Sequence, residues 1–121
     1  MHSLKKIALL LILSSAISSC EVNKMAHFKI VNSTTFKIDS LTIEASETKN
    51  NNFISLAPVE SKTYSIDMSK IPMGEGSYSL KYLVAGKRFE KNFGYFENQI
   101  PWEKETGILI EMDTVTYQIV D

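Results

Sequence analysis

The sequence predicts a small all-β sandwich, and three observations carry that reading. Apolar residues recur with a period of two, not 3.6, through most of the chain after residue 26. Clusters of Asn, Ser, Thr, Asp, Gly and Pro interrupt the alternation at short intervals. No window after Cys20 has the spacing of an amphipathic helix. Segments that alternate in this way bury one face each, and packing two sheets of them together satisfies all of those faces at once.

The strands can be placed in order. Phe28 and Ile30 alternate with His27, Lys29 and Val31 as a half-buried strand. Asn32-Ser33-Thr34-Thr35 is a turn cluster; its first three residues also match a glycosylation acceptor, but read better as turn chemistry. Phe36 and Ile38 resume the alternation, and then the phase slips, because the next apolar pair is Leu41 and Ile43. An extra residue near Asp39-Ser40 would keep both pairs on the core face, as a β-bulge does; two strands with a kink between them is the competing arrangement.

Residues 47–52 form a polar loop, and Phe53-Ile54-Ser55-Leu56 a short strand stopped by Ala57-Pro58, since proline cannot donate to a central ladder. Residues 62–68 alternate through Tyr64, Ile66 and Met68, and residues 71–76 break the pattern with two glycines. The clearest strand follows, with Tyr78, Leu80, Tyr82 and Val84 on one face and Ser77, Ser79, Lys81 and Leu83 on the other. Ala85-Gly86-Lys87 is a tight connection to a hairpin partner carrying Phe89, Lys91, Phe93 and Tyr95. Residues 97–106 are a longer loop holding Pro101 and Trp102. Ile108, Ile110 and Met112 form a further strand. Asp113-Thr114 then either turns the chain into Val115, Tyr117 and Ile119 or lies within one long strand. The total is roughly seven or eight short strands, an antiparallel β-sandwich of immunoglobulin-like architecture that lacks that fold's cysteine pair.

The first twenty residues have a different character. Lys5 and Lys6 precede the apolar run from Ile7 to Leu13, and small residues lead from there to Cys20, the only cysteine. Charge, apolar core and small residues in that order are the layout of a secretory signal peptide, and the run is too short for a spanning helix, which needs about 20 apolar residues. A secreted chain with an incidental Cys20 and an uncleaved anchor are the competing readings. Ile17-Ser18-Ser19-Cys20 resembles the lipobox of bacterial lipoproteins. That resemblance implies a diacylglyceryl group on the Cys20 thiol, cleavage just before it and acylation of the new amino group. The expected division is then a signal peptide over 1–19, a lipidated cysteine and tether over 20–25, and a sandwich domain over 26–121.

Removing 19 of the 121 residues leaves 102, enough for one domain. All 14 acidic residues follow Cys20 while two of the 13 basic ones precede it, so the mature net charge is −3. With no clustered basic face, nucleic acid is not an expected partner. With Cys20 committed to lipid, no disulfide is available and the domain must be held by its apolar core. The five tether residues after Cys20 reach only about 17 Å when extended, so the domain stays close to the membrane.

Residues 28–43 (a strand, Asn32-Ser33-Thr34, then Ile38-Asp39-Ser40), together with Phe93-Gly94-Tyr95-Phe96, resemble small lipoproteins of the Bacteroidetes group. The resemblance implies an envelope setting and no particular activity. In that group surface export goes with an acidic cluster after the cysteine. Glu21-Val22-Asn23-Lys24 lacks one, so the expected place is the outer membrane, facing the periplasm.

Few residues qualify for chemistry. His27 is the only histidine after Cys20, so any Ser–His–acid device has to use it, and an exposed strand histidine is the simpler reading. Glu44/Glu47, Glu103/Glu105 and Glu111/Asp113 are close carboxylates; the last pair would share one strand face if residues 108–113 were extended. No cofactor and no metal site is expected, because ligands of the right type are too sparse. Tyr95, Phe96 and Trp102, on or beside the longest loop, are the candidate contact for a ligand, a protein or a glycan, unless Trp102 folds back to cap the sandwich. The expected function is a non-catalytic, lipid-anchored binding or accessory module; the alternatives are a carboxylate hydrolase built on Glu111 and Asp113, or a purely structural envelope protein.

Overall fold

The computed structural model describes residues 24–119, so the expected signal peptide, Cys20 and the first part of the expected tether lie outside the described residues. Among the described residues nine strands are present: β1 (Met25–Asn32), β2 (Ile38–Ala45), β3 (Ile54–Leu56), β4 (Ser61–Asp67), β5 (Glu75–Val84), β6 (Lys87–Glu97), β7 (Ile100–Pro101), β8 (Glu105–Ile110) and β9 (Val115–Ile119). They form two sheets, in the orders β4-β1-β8-β9 and β3-β2-β5-β6-β7. The single helical piece among the described residues is a 3-10 turn over Met68–Lys70.

On β1, β5 and β8 the inner faces are those the alternation indicated. Phe28, Ile30, Ile108 and Ile110 of one sheet meet Leu41, Ile43, Leu80 and Val84 of the other, and all are buried. Burial of such side chains contributes about 1.5–3 kcal/mol each, which is how a chain without a disulfide gathers a core. Rings fill the centre: Phe28 meets Tyr78 and Phe93 edge-on at 5.0 and 5.6 Å.

The phase slip in β2 is a bulge. Asp39 pairs with Leu83 and Thr42 with Lys81, so three steps on β2 face two on β5. Ser40 takes the left-handed conformation (φ 49°) that absorbs the extra residue. Ile38, Leu41 and Ile43 all stay in the core as a result.

Several expectations need correction. The strand count is nine because residues 97–106 contain β7, two residues paired to the end of β6. The sheets are not wholly antiparallel: β8 runs parallel to β1, with His27 opposite Glu105 and Ile30 opposite Ile108. β8 enters the first sheet from the same end as β1, after the chain has crossed from the other sheet, so the two must run the same way. Phe36 and Phe53 are exposed and lie outside the strands, because β2 and β3 begin at Ile38 and Ile54. Met112 belongs to the turn between β8 and β9, which Glu111 N–H closes on the Thr114 carbonyl at 2.9 Å. On β6 the alternation expected through Tyr95 breaks at Gly94, and Phe96 takes the inward place.

Asn32 is the polar pin of the fold. Its side chain is fully buried (0% exposed). The amide donates to the Phe36 carbonyl (2.9 Å) and the Leu56 carbonyl (3.0 Å), while Oδ1 accepts from the Thr34 N–H (2.9 Å) and hydroxyl (2.7 Å). Its backbone accepts from Val59 N–H and donates to the Glu60 carbonyl. One residue therefore ties the β1–β2 turn to β3 and to the β3–β4 turn, joining the two sheets at one end. This is the turn chemistry expected of Asn32-Ser33-Thr34.

Tyr78 is buried among Phe28, Phe93 and Phe96 with its hydroxyl unpartnered among the described residues. Burial pushes that hydroxyl up to about 12. A folded-state pKa raised above the unfolded value of about 10 gives stability that is present below pH ~10 and lost as pH rises toward ~12, about 2–3 kcal/mol for two units. Tyr78→Phe keeps the ring and removes the orphaned hydroxyl. We expect it to raise neutral-pH stability by about 1 kcal/mol and to reduce the alkaline loss by Tyr78's share, the other raised tyrosines keeping theirs, read from urea midpoints across that range.

Candidate functional site

The aromatic residues singled out in the sequence are set by a bulge and a hairpin. Gly94, at φ +70°, shifts the register so that Gly76 pairs with Phe96 and Tyr78 with Phe93, leaving an extra residue on β6. Tyr95 is thereby turned away from the core while Phe96 enters it, packing on Tyr78 at 5.4 Å. Phe96 is 3% exposed and is a core residue, not a contact. Two left-handed residues, Asn98 and Gln99, then reverse the chain, as the tight turn of a two-residue hairpin requires. β7 runs back along β6, and Trp102 N–H extends the ladder to the Tyr95 carbonyl at 3.0 Å.

That bond places the two remaining aromatics side by side. Their rings meet edge to face, 5.7 Å apart at 71°. Trp102 is 73% exposed and does not cap the sandwich. Ile100, two residues earlier on the same face, and Met73 in the adjoining loop are exposed as well. Desolvation first, then the hydrogen bond to Glu75 and the charges of Glu75 and Glu97, hold the Tyr95 hydroxyl above its ordinary value. The phenol therefore stays protonated, able to donate, throughout the neutral range.

The hairpin is clamped in place. Asn98 N–H donates to the Gly74 carbonyl (2.9 Å), and its side chain accepts from Gly74 N–H (3.1 Å). Gln99 donates to the Ile71 carbonyl (2.7 Å) and the Ser69 carbonyl (3.2 Å), and accepts from Lys24 Nζ (2.8 Å). Lys24, the first described residue, is thus at the same end of the sandwich as Trp102.

The other candidates are placed differently. His27 Nδ1 lies 2.7 Å from Ser65 Oγ on β4, and Glu105 stands opposite His27 on β8, an arrangement across three strands that the sequence did not disclose. A serine nucleophile needs Nε2 of the base, with Nδ1 turned to the acid. Here Nδ1 faces the serine, and the pair lies on the outer face of the sheet, so it is a cross-strand polar contact. Glu111 and Asp113 are exposed on the β8–β9 turn, not extended along one strand face. They border a shallow cleft of about 290 Å³ with Tyr82, Lys87, Phe89 and Met112. Glu44 pairs with Lys81 at 2.7 Å, and this bond, foremost, holds its carboxyl below the ordinary value. Both line a cleft of about 580 Å³ on the outer face of β2, β5 and β6. Among the described residues no three of His, Cys, Asp and Glu converge as a metal site would require. Neither a scan against protein-family models nor a search of curated proteins finds a match to this chain.

Proposed function

We propose that the chain is a lipid-anchored envelope lipoprotein whose β-sandwich is a non-catalytic binding or accessory module facing the periplasm, with Tyr95 and Trp102 as its contact. The observation that carries the contact is the exposure of Trp102 on a clamped hairpin, edge-on to Tyr95. A large apolar ring held out in water by a rigid element gains free energy only when something covers it. The anchor rests on Lys5, Lys6, the apolar run and Ile17-Ser18-Ser19-Cys20. A hydrolase would instead need carboxylates converging in an enclosed pocket, and Glu111 and Asp113 flank an open turn.

Two substitutions test this reading. Cys20→Ser is expected to leave the precursor unlipidated and uncleaved; normal processing of that variant would remove the anchor from the proposal. Trp102→Ala is expected to change stability by no more than about 0.5 kcal/mol, as for other exposed positions. It should nonetheless deplete the crosslinks, to protein or lipid, that the wild type forms in native envelopes. An unaltered crosslink pattern would show that the ring is not the contact.

A further inference from the structure

We propose that the end of the sandwich carrying Trp102 is a seat on the lipid surface, with Met73, Ile100 and Trp102 entering the headgroup layer of the membrane that holds Cys20. This rests on the lipid anchor proposed above and names the partner of the same aromatic site.

The argument starts from where the tether enters. Lys24 is bonded through Nζ to Gln99 at the tip of the β6–β7 hairpin, and its carbonyl accepts from Met68 N–H at 2.8 Å. The chain that leads back to Cys20 thus leaves the domain beside Ile100 and Trp102. Three residues lie between Cys20 and Lys24, four Cα steps and a reach of at most about 14 Å. The headgroup layer of one leaflet is only about 5–8 Å deep, so acyl chains on Cys20 bring this end of the domain to the membrane surface.

What the end presents there suits that layer. Met73, Ile100 and Trp102 are all largely exposed, and tryptophan, with an apolar body and one N–H, is the side chain most at home at a lipid–water boundary. Tyr95 beside it is a second residue of that kind. The hairpin is held by Asn98 and Gln99, so little conformational freedom is lost on contact. Lys24, Lys70 and Lys104 stand at this end, but so do Asp67, Glu75, Glu97, Glu103 and Glu105, so acidic groups are in excess. Apolar insertion, not attraction to anionic lipid, is then the source of binding, and anionic lipid should not strengthen it. The opposite end, where β1 finishes at Asn32 and where Phe36, Val59 and Met112 are exposed, is left pointing into the periplasm.

Trp102 is the chain's only tryptophan and reports its own surroundings. The test uses the mature lipidated protein, beginning at Cys20, reconstituted into phosphatidylcholine vesicles, with a quencher attached to the lipid near the headgroup and acrylamide as the aqueous quencher. The seat requires that the lipid-borne quencher remove about half or more of the Trp102 emission. It also requires that this persist when anionic lipid is added, and that Met73→Asp with Ile100→Asp reduce it about twofold or more while the protein still floats with the vesicles. Protein that floats, with its Cys20 peptide acylated by mass, but whose Trp102 is reached only by acrylamide, overturns the seat and leaves the anchor standing. Protein that does not float and carries a free Cys20 thiol overturns the anchor, and the seat with it. Shielding of Trp102 in native envelopes but not in lipid vesicles would assign the contact to a protein or glycan and reject the lipid.

Discussion

Asn32→Ala is expected to destabilise the domain by about 2–5 kcal/mol, a large fraction of what a domain of this size possesses. The figure follows from what is stranded. Removing the amide takes a donor from the Phe36 and Leu56 carbonyls, and removing Oδ1 takes the acceptor from the Thr34 N–H, in a fully buried place. Each buried polar group left unpaired costs about 1–3 kcal/mol. Thr34 partly compensates, since its hydroxyl also lies 2.8 Å from the Phe36 carbonyl. Asn32→Asp separates lost hydrogen bonds from lost packing. It keeps the shape and one acceptor oxygen but sets a carboxylate against two carbonyls. That carboxyl must have a folded-state pKa raised above the unfolded ~3.9, so its contribution is present at low pH and lost as pH rises through the folded value. Urea midpoints should show the Asp variant recovering toward wild type on acidification while the Ala variant does not. Parallel pH profiles for the two would mean that Asn32 serves by filling space.

The sequence made some of this fold legible and not the rest, for identifiable reasons. A bulge shows in an apolar pattern when it shifts the phase of unambiguous core residues, and the step from Ile38 to Leu41 did so. The bulge at Gly94 left no such trace, because Phe93, Tyr95 and Phe96 are all aromatic and the alternation reads equally well through Tyr95. Periodicity assigns faces but not neighbours, so nothing local could reveal that β8 lies parallel to β1 or that Ser65 stands beside His27. β7 is two residues long and half proline, too short to have a period, and its turn uses Asn98-Gln99 without a glycine. The exposure of Trp102 turned on that missed hairpin. The aromatic site was therefore named from composition and position, and its membership corrected once the ladder bond between Trp102 and Tyr95 fixed which rings face out.

Gly94→Ala should cost about 2–5 kcal/mol and disturb the aromatic site from within the fold. Two effects add. At φ +70° an L-residue with a Cβ is disfavoured by about 1–2 kcal/mol. A Cβ built there would also lie 2.7 Å from Cδ2 of the Tyr78 ring, and Tyr78 is wedged among Phe28, Phe93 and Phe96. Relieving such overpacking costs about 1–3 kcal/mol. Gly86→Ala isolates the first effect, since its φ of +76° is similar and nothing lies within 4 Å of the added carbon. Chemical unfolding should therefore place Gly94→Ala well below Gly86→Ala, with the difference measuring the collision with Tyr78. The same bulge sends Phe96 inward and Tyr95 outward, so displacing it should loosen the Tyr95–Trp102 contact and change Trp102 emission, which Gly86→Ala leaves alone. Equal losses in the two variants would mean that backbone conformation alone makes Gly94 necessary, and that the packing of β6 on Tyr78 does not set where the exposed aromatics stand.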